Sequence, residues 1–315
     1  MIIDRHTHAG RPNRSGPVDR SVLATMRAGH VGAAVVSAIA DMPVIQRNPA
    51  TRALELVREP EPGECLAYTR EHLAVYDQAG MPIAREPAEI TAESPSLVLA
   101  IEGCDFLEGN LDRLDEMAAR GVRSIQLTHY RINETGDIQT APPRHHGLTR
   151  FGADAVRRMN DLGIMVDVAH CSEATAAGVA AATSHPILCT HANLAEPGAP
   201  GGDHPRFLSP AYASLVAQTG GVIGAWIAVL WEEKFDGMIR HLFRLIDAVG
   251  VDHVGIGTDM PAGVGRTEMP DFTRHAEIEQ RLIARGMAAE EVAKICSGNW
   301  LRVFSTVREG RTVHA

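Results

Sequence analysis

Two histidines spaced two apart, His6 and His8, close an apolar run at the start of the chain, Met1-Ile2-Ile3-Asp4-Arg5-His6-Thr7-His8. Alternation along a strand turns both rings to one side. Neighbouring imidazoles on rigid backbone make half of a metal site. Further along, His129, His170, His191 and Asp259 each end an apolar run, and Glu102 nearly ends another. Five of the fifteen histidines therefore recur at one kind of position, which unrelated core histidines would not do. Imidazoles with a carboxylate suit first-row divalent metals, and Asp259 suits a general base or a weak ligand. A divalent metal acidifies a bound water enough to make it a nucleophile near neutral pH, with a carbonyl polarised by metal or by His129 as its target. Asp259 is placed to move the proton from that water to the leaving nitrogen. Arg206, in Asp203-His204-Pro205-Arg206, offers a planar fork for a carboxylate, the simpler reading being a solvated loop side chain.

Bringing these groups to one place demands a particular set of elements. Apolar, β-branched runs at residues 2–8, 33–39, 97–103, 124–129, 164–170, 186–191, 221–227 and 253–259 are read as eight strands. Helical patterns lie between them, at about 18–29, 64–79, 111–120, 153–162, 172–183, 210–218 and 232–249, with two more after the last strand. Ser172 suits an N-cap, and Gly80, Gly121, Gly163 and Gly250 sit where helices should stop. Continuous apolar strands alternating with helices predict an α/β fold, a parallel (β/α)8 TIM-type barrel whose active site forms at the C-terminal ends of the strands. An open, doubly wound sheet is the rival, but no Gly-rich phosphate loop follows the first strand. Residues 1–315 are read as one barrel domain with C-terminal helices.

Smaller expectations follow from that frame. Gly255 and Gly257 share a face with Asp259 and should leave room beside it. The loop at 130–148, with His145 and His146, exceeds the usual barrel connection and should cover the site. His253 opens the last strand at the opposite rim and should be structural. Cys104 and Cys189 share parity with Glu102 and His191, so thiolate ligation is one reading and small apolar filling the simpler one.

Composition narrows the function. With 315 residues, 45% of them hydrophobic, the chain can bury the core of a barrel. A net charge of -9 without clustered Lys and Arg argues against nucleic acid and for a small-molecule substrate. No run of about 18 apolar residues spans a bilayer, and no charged segment with an apolar core precedes the first strand, so the expectation is a cytoplasmic protein without a membrane partner. Five widely spaced cysteines read as reduced thiols.

The stretches Ala100-Ile101-Glu102-Gly103, Gly121 to His129, Gly147 to Gly152, Gly163 to His170, Pro205 to Leu208, Val251 to Asp259 and Gly298 to Phe304 resemble the membrane dipeptidase (renal dipeptidase, peptidase M19) family of the amidohydrolase superfamily. The resemblance covers most of the chain and weakens between about residues 39 and 96. It implies a dipeptidase with two zinc ions, bridged by Glu102, with His170 and His191 on one ion and His6 and His8 on the other. It further implies that His129 stabilises the oxyanion, Arg206 holds the substrate carboxylate, Asp259 shuttles the proton, and the chain forms a homodimer, as members often do. In one place the chain departs from the family pattern. The family has His-x-Asp on strand one, and this chain has His8 in place of the Asp. A neutral ligand raises the charge of that metal site by about one, which leaves room for an amidohydrolase acting on another small amide, lactone or N-acyl amino acid. A catalytically silent metal-binding protein is the third reading, opposed by Asp259, since a structural zinc site needs no adjacent base.

Overall fold

The computed structural model describes residues 1–8, 21–50, 54–199, 202–227, 235–260 and 268–312. In chain order the strands are β1 (Ile2–Thr7), β2 (Val31–Ile39), β3 (Ile45–Arg47), β4 (Leu54–Leu56), β5 (Ser96–Glu102), β6 (Val122–Gln126), β7 (Met165–Asp167), β8 (Leu188–Ala192), β9 (Val222–Ala225) and β10 (Val254–Ile256). All but β3 and β4 form one parallel sheet in the order β1-β2-β5-β6-β7-β8-β9-β10. Just beyond β10 the sheet curls back on β1: Asp259 N–H donates to His6 O at 2.9 Å, and His8 N–H donates to Met260 O at 2.7 Å. The eight expected strands are thus present in a nearly closed barrel, each with bounds within a few residues of its expected range. The antiparallel β3–β4 hairpin was not expected.

The helices are α1 (Ser21–Ala28), α2 (Glu64–Gln78), α3 (Asp112–Arg120), α4 (Arg150–Leu162), α5 (Glu173–Ala182), α6 (Pro210–Gln218), α7 (Phe235–Val249), α8 (His275–Ala284), α9 (Ala289–Ala293) and α10 (Asn299–Glu309). The expected starts of α1 and α7, at 18–20 and 232–234, lie outside the described residues. Helix α4 begins three residues before its expected start because the Thr149 hydroxyl caps Gly152 N–H. Ser172 caps α5 by accepting from Thr175 N–H, as its spacing predicts. Among the described residues, three named helices follow the last strand, where two were expected. Among the described residues, no helix is long and apolar enough to cross a membrane.

Side chains divide into two layers. Ile3, Ala33, Val35, Val98, Ala100, Met165, Leu188 and Val222 line the barrel interior, where Trp300, Val303, Phe304 and Val307 of α10 pack against them. Their strand neighbours, such as Ile2, Ala34, Leu97 and Leu99, pack against the surrounding helices instead. Two strands break this alternation where it matters. Along β1, Asp4 pairs with Ala34 but Thr7 pairs with Val36, and along β8, Cys189 pairs with Ile223 but Ala192 pairs with Ala225. Each strand therefore carries one extra residue, a bulge that re-aims its side chains. In β1 the bulge lets Arg5 and His6 both turn inward, and in β8 it does the same for Thr190 and His191. Cys189 accordingly lies in the outer layer, so its expected shared parity with His191 does not hold.

Arg5 shows what the inner turn costs and what repays it. The buried guanidinium donates to Ile256 O at 3.2 Å and to Ile295 O at 3.1 Å, the latter in a π-helical turn, Lys294–Gly298. A Cβ on Gly255 would lie 1.6 Å from Arg5 Nη1. Likewise a Cβ on Gly257 would lie 1.7 Å from Thr190 O. The expectation that these glycines leave room beside Asp259 is corrected: their space is filled by the guanidinium and by the β8 backbone. Gly255→Ala should displace a buried cation from its acceptors and destabilise the fold by about 2 to 4 kcal/mol. Urea denaturation reads this directly, and a loss under about 0.5 kcal/mol, the usual range for an inconsequential substitution, would refute it.

Candidate metal centre

Every expected metal-ligating residue arrives at the C-terminal end of the barrel, and all are buried. Glu102, at the end of β5, is the hub. Its Oε1 lies 3.5 Å from His6 Nε2, 3.4 Å from His170 Nε2 and 3.7 Å from His191 Nε2, while its Oε2 lies 3.3 Å from His8 Nε2. The imidazoles pair off around it, His6 Nε2 to His8 Nε2 at 3.2 Å and His170 Nε2 to His191 Nε2 at 3.0 Å. Two nitrogens bound tetrahedrally at about 2.0–2.1 Å to one ion stand about 3.3 Å apart, so each pair has the separation a shared cation requires. Glu102 Oε2 has no hydrogen bond of its own, although it is buried. A buried carboxylate oxygen left so is costly unless a cation serves it. The donor set therefore fits divalent metal.

Hydrogen bonds behind the rings turn Nε2 toward the centre. His8 Nδ1 sits 3.2 Å from Ser37 O, which can only accept. Thr190 Oγ1 donates to Asp167 Oδ2 at 2.5 Å, and with its one proton spent it accepts from His191 Nδ1 at 3.1 Å and His6 Nδ1 at 3.4 Å. Such outer partners set the tautomer that leaves Nε2 free as a ligand.

Electrostatics agree with this geometry. Burial works against a charged His6, but the facing Glu102 and Asp259 carboxylates outweigh it and lift the ring to about 9. Burial pushes Glu102 up, yet the surrounding imidazoles of His129, His6 and His8 hold it well below the usual carboxylate range. His170 and His191 are pushed well down, by burial first and by the nearby Arg206 and other histidines.

Asp259 stands above the β1 pair, Oδ1 3.1 Å from His8 Nε2 and 3.9 Å from His6 Nε2, with 15% of its side chain exposed. Its backbone is left-handed, φ 58°, as is that of His170 at φ 65°. Non-glycine residues held in that region concentrate at functional sites. His129 Nε2 faces Glu102 Oε1 at 3.6 Å. Arg206 is not a solvated loop side chain: it is 1% exposed, donates to Gln139 Oε1 and to His191 O, and lies 5.3 Å from the centroid of the Trp226 ring. Its Nε has no partner.

The loop at 130–148 reaches the centre through Tyr130, whose ring packs against His129 and His170 at 4.6 and 5.0 Å, and through Gln139. His145 and His146 are exposed, with His145 Nε2 turned to Asn133 O. His253 bonds Gly221 O at 2.9 Å on the β9 side of the lower rim. All five cysteines are free and buried, and none joins the ligand groups found among the described residues. Sequence reasoning missed Asp41, Tyr130, Gln139 and Trp226. Asp41 and Tyr130 had a usable signal, a polar or aromatic residue just past an expected strand end, whereas Trp226 lay inside the run read as strand 221–227 and Gln139 had none.

Residues 13–314 match the family described as membrane dipeptidase (peptidase family M19), a span that begins after the strand bearing His6 and His8. Among curated proteins, dipeptidase tcpJ of Claviceps purpurea is 30% identical over 222 residues, 67% of this chain and 51% of its own length. Dipeptidase verJ of Clonostachys rogersoniana is 28% identical over 222 residues, 67% and 55% of the two lengths. The chain thus spans about half the length of the curated relatives it matches. Among solved structures, the probable dipeptidase PvdM from Pseudomonas aeruginosa shares the fold with a TM-score of 0.79 at 20% identity, covering 98% of this chain and 96% of that one. A metallo peptidase from Rhodobacter sphaeroides, solved with a phosphinate mimic of the dipeptide L-Ala-D-Ala, gives 0.75 at 20% identity over 97% and 99%. The family match runs through nearly the whole chain, from ahead of α1 to past the last described helix, and by it the chain belongs to the membrane dipeptidase family, peptidase family M19.

Proposed function

We propose that the protein is a metal-dependent dipeptidase, cleaving a dipeptide or a close analogue, with two zinc ions held by His6, His8, Glu102, His170 and His191. The observation that carries this reading is the meeting of two imidazole pairs on one buried carboxylate, with Asp259 above them and a buried arginine alongside. When bound, the ions supply a nucleophile from water at neutral pH and polarise the scissile carbonyl. Asp259, the most exposed of these groups, accepts the proton released on attack and delivers it to the departing nitrogen. His129 presents Nε2 to the oxygen on which charge develops. Arg206, fixed by Gln139 and Trp226, keeps its Nε–H for the substrate's terminal carboxylate. We read residues 1–315 as one barrel domain and the assembly as a homodimer. The alternative, an amidohydrolase for another small amide, lactone or N-acyl amino acid, draws on His8, which takes the place of an anionic ligand.

Arg206 separates the two readings. A charge-assisted hydrogen bond contributes roughly 1.5 to 3 kcal/mol, so Arg206→Ala should cut kcat/KM for a free-acid dipeptide by about tenfold or more, and Lys should restore only part. The same dipeptide amidated at its C-terminus lacks the contact and should barely respond. Equal losses on both substrates would mean that Arg206 reads no carboxylate, and the broader amidohydrolase reading would take precedence.

A further inference from the structure

Asp41 lies two residues past the end of β2, fully buried, and the chemistry above makes no use of it. Its Oδ2 accepts the backbone N–H groups of Tyr130 at 2.9 Å and Arg131 at 3.1 Å, so the carboxylate is fixed to the segment that carries His129. Its Oδ1 lies 2.7 Å from His129 Nδ1. With Nδ1 engaged there, Nε2 is the ring atom left to face the cleft. The ring is also held on its sides, by Tyr130 at 4.6 Å and His170 at 4.7 Å between centroids. Behind it, Arg131 Nη1 donates to Asp105 Oδ1 at 3.0 Å and Asn133 Nδ2 donates to Asp105 Oδ2 at 3.1 Å, which secures the loop that supplies both amides.

We propose that Asp41 is a positioning residue for hydrolysis: it fixes the rotation of the His129 ring that aims Nε2 at the substrate oxygen where negative charge develops. The proposal rests on the dipeptidase reading for its chemistry and on geometry for its mechanics. An imidazole free to turn about its side-chain bonds spends most of its time elsewhere, and such a donor contributes to the transition state only when placed in advance. An ordinary buried loop clasp would behave differently, since its loss lowers stability and metal content and spares the catalytic step of the molecules that stay folded.

The test compares Asp41→Ala with Asp41→Asn in the zinc-loaded protein, with Asp41→Ser standing in should the alanine variant not fold. Asparagine keeps an oxygen for the two amides and turns its Nδ2–H to Nδ1, which then accepts and leaves the ring proton on Nε2, so the ring stays aimed as a donor. Alanine should lower kcat on a dipeptide by about 100-fold, the scale of losing one oxyanion donor, with KM moving less than about threefold and zinc content unchanged. Asparagine should restore most of kcat. Affinity for a phosphinate dipeptide analogue, whose tetrahedral anion resembles the transition state, should fall with kcat in the alanine variant and recover in the asparagine one. Long-range proton–nitrogen spectra of the imidazoles give a reading independent of substrate: a single rigid His129 ring in wild type and Asp41→Asn, and an averaged or altered one in Asp41→Ala. An asparagine variant as impaired as the alanine one, or an alanine variant with near wild-type kcat or an unchanged His129 ring, would overturn the proposal. A wild-type protein that cleaves no dipeptide would instead bring down the dipeptidase reading, and the imidazole spectra would still decide whether Asp41 holds the ring.

Discussion

Dialysis against a strong chelator is expected to bring dipeptide turnover down to background, and zinc added back is expected to restore it at about two ions per chain. The expectation comes from what the centre is without metal. Glu102 Oε2 is buried with no hydrogen bond, and two pairs of imidazole nitrogens face each other at 3.2 and 3.0 Å. Reconstitution should also depend on pH in a definite direction. The metal-free His6 is lifted to about 9, so below that value it holds a proton which a ligand nitrogen must give up. Apparent zinc affinity should therefore rise with pH through the neutral range, by about tenfold per unit for one displaced proton, and level off above about 9. Titration calorimetry in buffers of different ionisation enthalpy would count that proton. Full turnover in protein stripped of metal would remove the metal-hydrolase reading altogether.

What the sequence disclosed was the set of strand ends. A barrel places the last residue of every strand on one rim, so His6, His8, Glu102, His170, His191 and Asp259 were assembled by a rule about topology. No knowledge of distances was needed. Relations between strands were less legible. The inward turn of His191 depends on a bulge, and a bulge is a property of pairing with β9 that no single strand reveals. The parity argument for His6 and His8 faces the same difficulty, since the β1 bulge falls between Asp4 and Thr7. Gly255 looked like open space because a glycine in sequence does not say which distant side chain occupies the gap, here Arg5 from 250 positions away. Asp41 escaped notice because the apolar run was ended at Ile39, two residues short of the carboxylate that holds His129. The β3–β4 hairpin lay in the stretch where family resemblance faded, and its three-residue strands are too short to carry a period.

Asp259→Asn should keep the fold and the metals and lose about two to four orders of magnitude in kcat, the scale of a general acid/base group. The geometry supports the role on three counts. Asp259 Oδ1 is within 3.1 Å of His8 Nε2, so it reaches the centre, yet part of the side chain remains exposed, so it can also meet substrate. Its left-handed backbone, φ 58°, is stabilised by Asp259 N–H donating to His6 O at 2.9 Å, which ties the carboxylate to the strand that bears two of the histidines. Asparagine tolerates the same backbone region, so the substitution removes the proton-carrying oxygen without adding strain. The competing role is that of a metal ligand, since the same 3.1 Å contact places Asp259 among the groups able to hold an ion with His6 and His8. The two roles diverge under measurement. A proton shuttle that is lost leaves zinc content and the affinity of a phosphinate dipeptide analogue nearly intact while kcat collapses. A lost ligand instead lowers zinc content, and added zinc then recovers part of the turnover. Near wild-type kcat in a fully metallated Asp259→Asn protein would exclude the shuttle and leave protonation of the leaving nitrogen to another group at the rim.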